Sequence, residues 1–133
     1  MGLGPAGAYV LQAEIAARHT VAVTASETDW VGIAGLYADL AAVVPTPVVE
    51  LNRSVAVAMA DGPSAGLDLA DALDAAGDLA GYHLLPATRA DLLRRLGRRA
   101  EAAQAYRAAL ELLAGDGAER RYLERRLEET SGP

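Results

Sequence analysis

The chain has 133 residues, 52% of them hydrophobic, a net charge of −6 and no cysteine. The missing cysteines exclude disulfides, thiol catalysis and Cys-based zinc or iron–sulfur sites, and the acidic balance argues against general nucleic-acid binding. No apolar run reaches the ~18 residues of a membrane span, and the first residues lack the basic start and apolar stretch of a signal peptide; a single-domain cytoplasmic protein is expected.

Much of the apolar content is alanine, with no Phe and one Trp. Together with Leu, Arg and Glu this favours helix throughout. Charge is uneven: residues 1–81 hold two Arg against ten acids, whereas residues 82–133 hold ten Arg against eight acids.

Turn signals divide the chain into seven helices. The first is expected over Tyr9 to about Val23, with Leu11, Ile15 and Ala16 or His19 at helical spacing. Ser26, Thr28 and Asp29 are N-cap candidates for a second helix from Trp30 to Val43. Its Trp30, Ile33, Ala34, Tyr37, Leu40 and Ala41 fall on one stripe, and Pro45 ends it. Thr46-Pro47, an N-cap followed by proline at the first helical position, opens a third helix to about Ala60. Asp61-Gly62-Pro63 breaks it and starts a fourth, to about Ala76. Residues 77–81 form a loop. Tyr82–Leu96 is predicted as the fifth helix, with Pro86 in its first turn where a missing N–H is tolerated. Arg99–Ala114 is the sixth and Ala118–Glu129 the seventh. Residues 1–8 and 130–133 are expected to be flexible ends around one domain, 9–129.

The stretch LLRRLGRRAEAAQAYRAAL (92–110) has the form of a tetratricopeptide-type hairpin. Leu93 and Leu96 close one helix, Gly97 turns the chain, and Ala102, Tyr106 and Ala109 line the facing side of the next. The breakers Gly62 and Gly97 are 35 residues apart, close to the tetratricopeptide period of about 34. A further step back reaches residue 27, in the Ser26–Asp29 turn. The expected fold is therefore all-α: a right-handed stack of about three tetratricopeptide-like hairpins with a charged C-terminal capping helix.

The phrases PVVELNRSVAVAMADGPSAGL (47–67), AGYHLLPATRADLLRRLGRRAEAAQAYRAALEL (80–112) and ERRYLERRL (119–127) resemble the C-terminal extension of bacterial extracytoplasmic-function (sigma-24-like) RNA polymerase sigma factors. LQAEIAARH (11–19) and Asp29-Trp30 followed by LYADLAAV fit the same pattern, so the resemblance covers roughly residues 9–129. It implies a regulatory, protein-interaction role that modulates transcription initiation through the sigma core regions, RNA polymerase or a signalling partner. The promoter −10 and −35 binding regions that precede this extension in the family have no counterpart here. The chain is thus expected to be an excised domain or a natural short protein, not a sigma factor by itself, and not to bind DNA directly. Apolar surface left by absent sigma regions could drive homodimerisation.

No chemistry stands out. Gly2-Leu3-Gly4-Pro5-Ala6-Gly7 spells G-x-G-x-x-G but lacks the strand and βαβ unit that a dinucleotide site needs. His19 and His83 are too far apart in sequence, without further ligands, to suggest a metal. Ser26, Ser54 and Ser64 have no His–Asp partner set. No enzyme activity, cofactor or membrane contact is expected. Arg94, Arg95, Arg98 and Arg99 suggest a solvated face paired with Asp91 and Glu101. Trp30, Tyr37, Tyr82, Tyr106 and Tyr122 read as packing anchors.

Asn52 and Arg53 are polar residues in an otherwise apolar run. If Gly62 and Gly97 mark equivalent turns, they line a concave groove with Thr88, Asp91, Arg94 and Arg95, extended by Gln12, Arg18 and His19. Arginine binds carboxylates bidentately, so the groove would suit a peptide or acidic segment. An alternative from another class is a stand-alone helical-repeat regulator that holds a small-molecule or peptide ligand there; an enclosed apolar pocket of roughly 300 Å³ or more would favour it.

Overall fold

The computed structural model describes residues 29–131. Among them are six helices and no strand: α1 (Trp30–Val43), α2 (Pro47–Asp61), α3 (Pro63–Ala76), α4 (Leu84–Arg95), α5 (Arg99–Leu112) and α6 (Ala118–Ser131). The fold is all-α. The helix expected over 9–23, and with it the first hairpin, lies outside the described residues. The chain divides into two compact units, Met1–Gly66 and Leu67–Pro133.

In the first unit α1 packs on α2. The α1 start is fixed by Asp29, whose carboxylate accepts from the Gly32 N–H at 3.0 Å. At its end Val44 donates to Leu40 O, and Pro45 follows. Thr46 Oγ1 accepts from the Val49 N–H at 3.3 Å, and Pro47 supplies the first helical position of α2. Ile33, Leu36, Leu40, Val49 and Ala56 form the core, with Trp30 and Tyr37 packed against it. Full burial of a side chain such as Ile33 or Leu40 contributes about 1.5–3 kcal/mol.

Between α2 and α3 the chain turns on Gly62, at φ +102°. Four residues on, α3 comes so close to α2 that a Cβ at Gly66 would stand 2.5 Å from Ala58 Cβ and 2.6 Å from Ser54 O. The buried Ser54 turns its hydroxyl back to Leu51 O at 2.6 Å.

In the second unit α4 packs on α5, and α5 on α6. Leu67 and Ala70 of α3, Leu85, Ala90, Leu92 and Leu93 of α4, Ala102, Tyr106 and Ala109 of α5, and Leu123 of α6 are buried. α4 starts at Leu84 rather than Tyr82, because the Tyr82 N–H closes a turn onto Leu79 O. It ends in a Schellman arrangement: Arg98 N donates to Leu93 O and Gly97 N to Arg94 O, with Gly97 at φ +78°.

Helix α5 stops at Leu112, two residues short of the expected Ala114. Its final carbonyls are taken by a side chain from the next helix. The Arg120 guanidinium donates to Leu113 O at 2.7 Å, to Gly115 O at 2.6 Å and to Leu110 O at 3.4 Å. Helix α6 continues through Ser131, past the expected Glu129. Thr130 is buried, and its hydroxyl donates to Arg126 O and Leu127 O. Residues 130 and 131 are therefore helical.

Candidate functional site

The turn at Gly62 belongs to the first unit and the turn at Gly97 to the second, so the expected groove is reported one unit at a time. Gln12, Arg18 and His19 lie outside the described residues. In the first unit Asn52 is exposed on α2. Arg53 is half-buried, and its Nη1 donates to Glu50 on the same helix at 3.2 Å. Its Nε is buried and meets no acceptor among the described residues.

In the second unit Asp91 and Arg94 come together. One turn apart on α4, they meet two tyrosines from different helices. Tyr106 of α5 donates its hydroxyl to Asp91 Oδ1. Tyr122 of α6 donates to both Asp91 oxygens, at 3.1 and 3.2 Å. Arg94 Nε donates to the Tyr106 oxygen at 3.2 Å. Asp91 thus pairs with phenols of the two packed helices, not with the arginines of its own helix as expected; its partners are set by the packing of α4, α5 and α6.

Burial first, and then the Asp91 carboxylate, push the Tyr106 phenol well above its ordinary pKa, because ionisation would place a second negative charge in a poorly solvated position. The two tyrosines therefore do more than pack. Thr88 is half-buried and Arg95 exposed on α4, and neither shares the hydrogen bonds of this network. The other expected pair does form: Arg98 and Glu101 face each other at 2.6 Å, both exposed.

Beside the network opens an arginine-lined pocket of ≈ 270 Å³, bounded by Arg94, Gly97, Arg99, Arg126, Glu129 and Thr130. The Arg126 guanidinium stands 5.4 Å from the Tyr122 ring centroid, a cation–π arrangement, and its Nη1 pairs with Glu129 at 3.0 Å. Arg126 Nε is buried without an acceptor among the described residues. A second pocket of ≈ 460 Å³ adjoins the first through Arg99 and Thr130, and is lined further by Ala103, Gln104, Arg107 and Ser131.

Sequence reasoning missed Arg126, Arg107 and the two tyrosine hydroxyls. The signal available was the run ERRYLERRL, in which Tyr122 and Arg126 stand four residues apart on one helix face.

His83 is half-buried in the turn before α4, with its Nε2 2.7 Å from Glu119 at the start of α6. Among the described residues no group of three or more His, Asp or Glu could hold a metal ion, and no helix is long and apolar enough to cross a membrane.

No protein-family model matches the chain, and no solved structure does. It is similar to an uncharacterized protein of Rhizobium meliloti, 40% identical over 122 residues that cover 92% of this chain and 28% of that protein. The chain therefore spans less than a third of the relative it matches.

Proposed function

We propose that this chain is the regulatory, protein-interaction domain of a sigma-24-like sigma factor, acting on transcription initiation by contact with the sigma core regions, RNA polymerase or a signalling partner. One observation carries it. Across the residues that bear the resemblance, two helix–glycine–helix units recur, turning on Gly62 and Gly97, both at positive φ. Helix-pair repeats of this kind expose extended faces whose use is recognition rather than chemistry.

The open, polar face of the second unit supports a macromolecular partner over an enclosed small ligand. Arginine there is presented on three elements at once, which suits oriented, multi-point contact. The part played in the sigma factor rests on the resemblance of residues 47–67, 80–112 and 119–127.

The test is calorimetric titration of the chain with the separately produced promoter-binding regions of the sigma-24-like factor from the same genome, and with RNA polymerase. Saturable binding to either is expected. A folded chain that binds neither refutes contact with the sigma core regions and RNA polymerase and leaves a signalling partner as the route.

A further inference from the structure

Resting on that interaction role and deepening it, we propose that the trough between α5 and α6 is the receptor for an acidic peptide segment, whose carboxylates seat on Arg94, Arg99 and Arg126 in one pocket and on Arg107 in the next. Four observations lead there.

The first is charge. The pocket of ≈ 270 Å³ carries three arginines and one acid, Glu129. Among the described residues the adjoining pocket is lined by Arg99 and Arg107 and by no acid. This positive excess sits on a chain of net charge −6. A local field of opposite sign to the whole selects an acidic element and gives an extended polyanion such as DNA no general attraction.

The second is orientation. Arg126 is held under the Tyr122 ring, and Arg94 is anchored through Nε on the Tyr106 hydroxyl. The Arg94 terminal nitrogens carry no acceptor among the described residues. An arginine fixed by its Nε offers its two outer nitrogens as a fork, the geometry that grips a carboxylate. The rigidity comes from the Asp91–Tyr106–Tyr122 network behind it, which lowers the ordering cost of binding.

The third is a stand-in. The Glu129 carboxylate already lies on Arg126 Nη1 at 3.0 Å, and Arg99 Nη2 donates to the Glu129 backbone carbonyl at 2.7 Å. Guanidinium groups from α5 and α6 therefore already converge on oxygen acceptors. The Glu129 side chain occupies the place of a ligand carboxylate and competes with it.

The fourth is extent. The two pockets share Arg99 and Thr130 and so form one continuous trough. That shape fits an extended strand of chain with successive carboxylates better than a single small anion.

The probe is a fluorescein-labelled peptide of alternating Glu and Gly, about six residues and roughly 20 Å long when extended. Its Gln/Gly counterpart and an oligothymidine of equal charge serve as comparisons, all read by fluorescence anisotropy. Saturable binding of the acidic peptide is expected, weakening as salt rises. The Gln/Gly peptide should bind at least about tenfold more weakly, the least that one charge-assisted hydrogen bond supplies. The double variant Arg99→Gln/Arg126→Gln should lose about tenfold or more for the same reason. Glu129→Gln, which removes the competitor without removing an arginine, should bind several-fold more tightly, and it decides the matter even if the arginine variants fold poorly. Equal binding of acidic and neutral peptides overturns the proposal. So does oligothymidine binding as tightly as the peptide, or Glu129→Gln binding no more tightly than the parent. If the sigma regions bind independently of these arginines, the trough is refuted and the interaction role stands. If the peptide seats here and no sigma region or polymerase binds, contact with those two partners falls and the trough stands.

Discussion

Replacing Gly66 by alanine sets two opposing effects against each other at one position. Inside a helix, Gly→Ala normally stabilises by up to about 1 kcal/mol through backbone entropy. Here the new methyl would stand 2.5 Å from Ala58 Cβ and 2.6 Å from Ser54 O, whereas apolar contacts are comfortable at about 3.5–4.0 Å. The atoms in the way are a backbone oxygen and a Cβ, neither of which can swing aside, so α2 and α3 must part by about 1 Å at this crossing. Overpacking of that kind costs about 1–3 kcal/mol. Taking the upper part of that range, because no flexible side chain can absorb the clash, leaves a net loss of about 1–2 kcal/mol and a fall in Tm of about 5 °C. Gly35, exposed in the middle of α1 with nothing within 4 Å of its would-be Cβ, is the matched control. Gly35→Ala should gain about 0.5–1 kcal/mol. Urea unfolding followed by far-ultraviolet circular dichroism measures both. A Gly66→Ala protein as stable as the parent, beside a stabilised Gly35→Ala, would refute the close approach of the two helices.

Tyr106→Phe removes the hydroxyl shared by Asp91 and Arg94 and should cost about 1–2 kcal/mol; a cycle with Asp91→Asn should show coupling between the two sites. The same variant changes the alkaline behaviour. The folded phenol titrates above its unfolded value of 10.0, so its contribution is complete below that pH and declines as pH rises past it, where the unfolded chain ionises first. The parent's stability should therefore drop more steeply above pH 10.0 than that of Tyr106→Phe, measured by unfolding at a series of pH values. Arg120→Ala strips the last carbonyls of α5 of their donor and should cost about 1–2 kcal/mol, with amide exchange accelerated around residues 109–115. Thr46→Ala removes the α2 cap and should cost about 1 kcal/mol in urea unfolding.

The helix starts were legible wherever a local rule sets them. Asp29 before α1, Thr46-Pro47 before α2 and Pro63 after Gly62 each act through atoms within four residues, and each begins its helix where the sequence predicts. The end of α5 was less legible because a side chain of the next helix, Arg120, takes the carbonyls there, and the end of α6 because Thr130 is buried by packing that no local pattern announces. The Asp91 network was hidden for the same reason. Its partners stand 15 and 31 residues away, and nothing local distinguishes a tyrosine that packs from one that packs and donates. Asp91 and Arg94 were identified as polar residues on one helix face, but the partner assigned to Asp91 was wrong. Gly66 drew no notice, since its reason for being glycine lies on another helix.

The position of Trp30 has an experimental use of its own. It is the single tryptophan of the chain and it packs on the α1–α2 core of the first unit, while Tyr82, Tyr106 and Tyr122 all belong to the second. The protein therefore carries two optical channels without any label. Indole emission follows the melting of the first unit, and phenol absorbance draws mainly on the second. Coincident transitions would mean that the two units unfold as one cooperative body, and separated transitions that each melts by itself. A ligand seated in the arginine trough would then move the phenol channel directly, and the indole channel only as far as the two units are thermodynamically linked.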